Sequence, residues 1–207
     1  VAESRARSYA PRTMSPPATR PRPAAVLMVQ GCASGVGKSL ITAGLCRLFR
    51  RRGLSVAPYK AQNLSLNSWV TADGGEVGRS TAVQAAAAGV EPTVDMNPLL
   101  LKPEADGPGQ LVALGKPLAR EAARALREDK DARSRLVLDT LARLRTRYDL
   151  VVIEGAGSPA EINLRAHEVV NMHVALAVRA PVLLVGDIER GGVFAHLVGT
   201  LELLEPE

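Results

Sequence analysis

Short, continuously apolar runs alternate with longer amphipathic stretches along the chain. Ala25 to Gln30 (AVLMVQ) reads as a buried strand, and Ser39 to Arg52 as a helix with a basic last turn closed by Gly53. Ser55 to Lys60 predicts a second strand, and Gly75 to Ala88 a helix ending at Gly89. Leu118 to Arg147 is a long helical stretch laced with Arg, Glu and Asp, with a break near Asp129. Leu150 to Glu154 (LVVIE) and Pro181 to Asp187 (PVLLVGD) run apolar until an acid closes them, as parallel strands covered on both faces do. Strand–helix alternation of this kind predicts an α/β fold, a doubly wound, mostly parallel sheet flanked by helices. No internal repeat is visible.

The 207 residues suit one ordinary domain, and 46% apolar with 23% charged residues is a globular balance. Aromatics at 3%, with a single Trp, argue against base stacking as the main activity. No uninterrupted apolar run approaches the ~20 residues that span a bilayer, so a soluble protein without membrane attachment is expected. The net charge of +5 would suggest nucleic acid if it were spread over the fold. It is concentrated instead. Residues 1–25 hold five Arg against Glu3, and the remainder carries 21 bases and 20 acids. No nucleic-acid partner is therefore expected. Residues 1–24, rich in Arg and Pro, read as a disordered extension, with the fold beginning at 25. Cys32 and Cys46 can form neither a disulfide framework nor a zinc site, which fits a reducing cytoplasm.

The strongest chemical signal is the run from Gly31 to Ser39 (GCASGVGKS), directly after a strand and before a helix. A loop that wraps a triphosphate needs small residues so that successive backbone N–H groups point at the anion. Gly31, Ser34, Gly35, Val36 and Gly37 would form it, Lys38 would reach the β- and γ-phosphates, and the Ser39 hydroxyl would hold Mg²⁺. Five residues separate Gly31 from Gly37, one more than the common spacing. Glu154, ending LVVIE and followed by Gly155-Ala156-Gly157, is a candidate metal acid, with a helix cap or satisfied loop acid as the alternative. Asp187 ends its strand in the same way and stays undecided between those two roles. Asp73 and Glu76, flanking Gly74-Gly75, are either helix-dipole residues or further metal acids. Lys60, at the end of a strand, is either a surface lysine or a cation facing the site.

Together these stretches resemble the N-terminal, ATP-using part of the cobyric acid synthase family. The matching segments are VQGCASGVGKS, YKAQNLSLNS, DGGEVGR, MNPLLLKP, IEGAGSPAEINL, VNM and PVLLVGDIERGGVFA, in order from Val29 to about Leu204. The long loop and the strand ending in Glu-Gly-Ala-Gly also resemble dethiobiotin synthetase, a carboxylate-activating relative with a phosphate-loop NTPase fold. Cys32, Ala61, Leu66 and Glu189 depart from the family pattern, where Thr-like, Pro, Asn and Asp residues are usual.

The resemblance implies an ATP-dependent amide ligase of cobalamin biosynthesis. It would amidate side-chain carboxylates of adenosylcobyrinic a,c-diamide, with ATP and Mg²⁺ as cofactors and a corrinoid as substrate partner. Lys38 and Lys60 would be the catalytic cations, and Ser39, Glu154 and Asp73 or Glu76 the metal ligands. Ammonia would come free or from a Cys-His-Glu glutaminase domain. Residues 25–207 are then expected to form an ATP-binding synthetase domain, incomplete at its C-terminus and without that glutaminase. Two alternatives stay open, a synthetase of the dethiobiotin type and a nucleotide-binding relative without turnover. The sequence leaves the oligomeric state open, a homo-oligomer included. His167, His173 and His196 show no base-plus-nucleophile arrangement and read as structural or surface residues, and the Arg-rich stretch 120–147 reads as a solvated face.

Overall fold

A computed structural model describes residues 22–105 and 107–205. Most of the expected 1–24 extension therefore lies outside the described residues. The elements in chain order are β1 (Ala25–Gly31), α1 (Lys38–Arg51), β2 (Val56–Tyr59), β3 (Gln62–Leu64), β4 (Ser68–Val70), β5 (Glu76–Gly78) and α2 (Arg79–Ala88). There follow β6 (Leu99–Lys102), β7 (Gln110–Ala113), β8 (Lys116–Pro117), α3 (Arg120–Glu128), α4 (Lys130–Arg145), β9 (Leu150–Glu154), α5 (Met172–Val178), β10 (Val182–Val185) and α6 (Val193–Glu202). Two 3₁₀ turns, Val94–Met96 and Ile162–His167, precede β6 and α5.

The central sheet has the order β10-β1-β9-β2, and every pairing in it is parallel. The register sets Ala57 beside Val151 and Val29 beside Glu154, so the strands' carboxyl ends finish together. Alternate residues feed two cores. Met28, Ala57, Tyr59, Val151 and Ile153 pack with Val137, Leu141 and Leu144 of α4, while Val29, Val56 and Val152 pack with Cys46 of α1 and Ala88 of α2. Each of these larger apolar side chains contributes about 1.5–3 kcal/mol through burial. The expected α/β fold is thus present, with helices on both faces of a parallel sheet.

Several local readings change. Gly75 to Ala88 is a strand and then a helix: Glu76–Gly78 pairs antiparallel with Ser68–Val70, and Gly78 packs closely against Asn63 where the strand ends. A Cβ on Gly78 would lie 1.9 Å from Asn63 Nδ2. Residues 62–64, 99–102, 110–113 and 116–117 build a second, mixed sheet, β3-β6-β7-β8, below the resolution of the hydrophobic pattern. The break at 129 is as expected: Asp129, extended at φ −89° and ψ 95°, ends α3 and caps α4 by accepting from Ala132 N at 2.8 Å. The PVLLVGD run is not covered on both faces. β10 is an edge strand, and Val182 and Leu183 are 39% and 44% exposed. Arg133 departs from the solvated-face reading, being buried with its guanidinium donating to the carbonyls of Leu126, Arg127 and His167. Among the described residues no helix is long and apolar enough to cross a membrane.

Candidate nucleotide site

The loop Gly31–Gly37 closes over the carboxyl ends of β1, β9 and β10, where ligands of open parallel sheets sit. Gly31 has no room for a side chain, since a Cβ there would lie 2.6 Å from Val36 Cγ2 and 2.8 Å from Lys38 Nζ. Gly37 takes φ 95°, in the left-handed region, and turns the chain directly into α1. As a glycine it offers no side-chain cap, so the first-turn N–H groups of α1 stay available to an anion. Lys38 opens α1 and is 8% exposed. Its ammonium donates to Ala33 O at 2.8 Å and to Gly157 O at 2.7 Å, joining the loop after β1 to the loop after β9. Burial holds this ammonium below the ordinary lysine range, with Lys60 adding to the shift and Glu154 opposing it.

Glu154 is the hub. It ends β9 at 1% exposure and accepts from three residues, on α1, on α2 and just beyond β2. Ser39 Oγ donates to its Oε1 at 2.7 Å, and Lys60 Nζ reaches the same oxygen at 2.8 Å. Gln84 Nε2, from α2, donates to Oε2. Lys60 is not a surface lysine. It lies just beyond β2 at 9% exposure, its N–H donating to Met96 O at 2.8 Å and its carbonyl accepting from Asn97 Nδ2 at 3.0 Å. Asn97, in the MNPLLLKP stretch, also accepts from Gly78 N at 2.8 Å and so links β5 to the strand end that carries Lys60.

The other candidates are placed differently. Asp73, in the turn between β4 and β5, accepts from Thr71 Oγ1, which holds its carboxyl below the usual range. Glu76, at the start of β5, pairs with Lys102 of β6, and that contact lowers its carboxyl in the same way. Asp187 accepts from Glu189 N at 3.0 Å and pairs with Arg190 Nε at 3.0 Å. Arg190 hangs over the loop, its guanidinium 3.6 Å from where a Cβ on Gly35 would be. Ser34 and Val36 complete the loop, the latter buried. His173 Nε2 bonds Ser134 Oγ at 2.7 Å, a structural contact, and His167 is exposed. Cys46 is fully buried and its thiol is pushed up to about 12 by that burial.

Gln84, Asn171 and Arg190, which motif reading did not single out, adjoin the candidate site. Asn171, inside the VNM stretch, clamps the Ala156 peptide from both sides, donating to Ala156 O at 2.7 Å and accepting from Ala156 N at 3.0 Å. Gly155 makes this possible, because a Cβ there would lie 2.3 Å from Asn171 Oδ1. The Glu168 carboxylate in turn accepts from the N–H groups of Val170, Asn171 and His173. A separate cavity of about 300 Å³ lies on the outer face of α2, lined by Trp69, Arg79, Val83, Ala86, Val90 and Pro92 among others. It shares no lining residue with the loop or the Glu154 cluster.

A glycine loop, a buried lysine and a carboxylate–hydroxyl pair at parallel strand ends define a class. The chain belongs to the CobQ/CobB/MinD/ParA nucleotide binding domain family, whose model matches residues 27–206. More particularly, it is similar to cobyric acid synthases. That of Sorangium cellulosum strain So ce56 is 61% identical over 184 residues, covering 89% of this chain and 35% of the relative. Those of Desulforudis audaxviator strain MP104C and Dehalococcoides mccartyi strain CBDB1 are 60% and 56% identical, covering 87% and 89% of this chain and 36% and 37% of the relatives. The chain thus spans little more than a third of the length of these relatives. Among solved structures it is similar to the signal recognition particle receptor FtsY of Elizabethkingia anophelis, with TM-score 0.46 and 22% identity over 90% of this chain and 49% of that one.

Proposed function

We propose that this chain is the ATP-binding, carboxylate-activating part of an amide ligase that acts on corrinoid side-chain carboxylates in cobalamin biosynthesis, in the cytoplasm. The observation that carries the reading is the buried Ser39–Glu154–Lys60 contact beneath the glycine loop. The reading is supported by 55–61% identity to cobyric acid synthases across most of the chain.

A carboxylate is a poor electrophile. Transfer of the γ-phosphoryl group of ATP to a carboxylate oxygen, releasing ADP, gives an acyl phosphate, and ammonia then displaces phosphate to leave the amide. Such a reaction asks the protein mainly to position anions and to neutralise charge. The Gly31–Gly37 loop and the first turn of α1 bind phosphate oxygens. Lys38 exchanges its two carbonyl partners for them, and Arg190 covers the loop. Lys60 faces the transferring group or the substrate carboxylate.

The side chains present fit a magnesium ion. Ser39 Oγ and Glu154 Oε1 are hard oxygen ligands 2.7 Å apart, and Gln84 Oε1 is a buried acceptor with no donor among the described residues. Ser39 and Glu154 would hold the ion, which supplies charge neutralisation on the phosphates. Asp73 or Glu76 would contribute only by leaving Thr71 or Lys102. Nitrogen comes from ammonia, free or delivered by a glutaminase domain.

Calorimetric titration tests the nucleotide part, with Lys38→Ala expected to abolish most ATP affinity. The ligase part is tested by supplying ATP, Mg²⁺, the corrinoid acid and ammonium, or glutamine with a glutaminase partner, and reading the corrinoid mass. Amide formation supports the reading. ATP binding unchanged in Lys38→Ala would overturn it.

A further inference from the structure

Gln84 sits in the middle of α2 at 1% exposure, within the run Ala82-Val83-Gln84-Ala85-Ala86. A glutamine so deeply buried in an alanine-rich helix costs free energy unless its amide is bonded. One end is bonded. Nε2 donates to Glu154 Oε2 and lies 3.4 Å from Ser39 O, both acceptors, which fixes which end of the amide faces Glu154. The other end is not, for among the described residues Oε1 is buried without a hydrogen-bond partner. A purely structural glutamine would satisfy both ends or be replaced by an apolar residue.

From this arrangement we infer that Gln84 is a positioning residue for a divalent cation held by Ser39 and Glu154. The inference rests on the nucleotide reading of the same loop. By occupying Glu154 Oε2, Gln84 prevents the carboxylate from rotating and turns Oε1 toward the Ser39 hydroxyl. Without that bond Glu154 could swing both oxygens onto Lys60, with which it forms a buried ion pair. The orphan Oε1 is an acceptor suited to the O–H of a cation's water, since Mg²⁺ keeps part of its hydration shell. Partners of this kind orient a ligand without touching the metal. α2 thereby belongs to the site from the face opposite its outer cavity.

The experiment measures ATP affinity of the whole chain in Mg²⁺ and in a chelator, using a fluorescent ATP analogue. In Gln84→Met, which keeps length but loses both hydrogen-bonding ends, the ratio of the two affinities should fall by ~10-fold. A role in packing alone would lower the melting temperature and leave that ratio untouched, and this result overturns the inference. The parent chain gives an independent readout that needs no variant to fold. The ¹⁵N side-chain amide resonance of Gln84 should move when Mg²⁺ is added to the ATP-bound chain, and an unmoved resonance also overturns the inference. A parent that binds ATP with normal Mg²⁺ dependence while Gln84→Met matches it sinks only this step. A parent that binds no ATP sinks the nucleotide reading as well.

Discussion

Lys60 Nζ and Ser39 Oγ converge on one oxygen, Glu154 Oε1, from 2.8 and 2.7 Å. Two donors, one on α1 and one just beyond β2, thus hold a carboxylate that is 1% exposed, and one of them brings a full positive charge. Such a charge is tolerated in the interior only because it is paired.

Removing one member should therefore cost more than removing both. Lys60→Met is expected to lower stability by about 3–5 kcal/mol, because it leaves Glu154 buried beside Ser39 and Gln84 with no cation bonded to it. The double variant Lys60→Met with Glu154→Leu should recover part of that loss. Urea unfolding of the single and double variants measures it. Strictly additive losses would mean that the pair is not coupled.

A second expectation concerns the loop after β9. Asn171→Ala frees both ends of the Ala156 peptide and should cost about 1–3 kcal/mol. It should also weaken ATP binding, since Gly157 O of that loop holds Lys38. Gly155→Ala should be poorly tolerated in the parent, where its Cβ would meet Asn171 Oδ1 at 2.3 Å, and better tolerated once Asn171 is alanine. Thermal melting of the two singles and the double decides this, and equal damage from Gly155→Ala in both backgrounds would refute the clash.

Much of this was legible in the sequence, and the remainder was hidden for identifiable reasons. GCASGVGKS and LVVIE announce themselves because a phosphate loop needs small residues and a central parallel strand needs apolar ones on both faces. Gln84 did not, since a lone polar residue in an alanine-rich helix has no spacing signature, and its meaning depends on which helix faces Glu154. Arg133 escaped for a related reason. Interleaved charges read as a solvated face, yet this one side chain folds inward to satisfy three carbonyls. β5 was absorbed into a helix because three residues of strand before Arg79 carry too little period to register. The edge position of β10 follows from sheet order, which an apolar run cannot report.

Arg190 gives a third test. Its side chain is 69% exposed, so Arg190→Ala should leave the melting temperature close to the parent's. Its guanidinium lies over Gly35, so the same change should lower ATP affinity roughly tenfold by loss of a charge-assisted contact. Asp187→Asn should have a smaller effect in the same direction, by freeing Arg190 from its pair. Fluorescent-nucleotide titration at low and high salt reads both, and an unchanged affinity for Arg190→Ala would remove that residue from the site.

The last expectation is a pH dependence. Burial lowers the Lys38 ammonium below the 10.5 of a free lysine. Between the lowered folded value and 10.5 the unfolded chain holds the Lys38 proton more than the native one does, so the Lys38 contribution to stability, read as the parent minus Lys38→Met, should rise with pH across that window. Below it, the native state carries the full cost of a buried charge, and above it that cost is gone. Lys38→Met has no such charge and should lack the rise. Nucleotide phosphates reverse the balance, because they favour the ammonium form. ATP binding within the window should therefore take up a proton, and affinity should fall as pH increases. Calorimetry in two buffers of different ionisation enthalpy measures the uptake directly. In the folded chain the buried Cys46 thiol, pushed up to about 12, does not titrate there and cannot mimic the binding signal, while its titration on unfolding lowers stability alike in the parent and in Lys38→Met. Proton release on ATP binding would contradict a phosphate contact at Lys38.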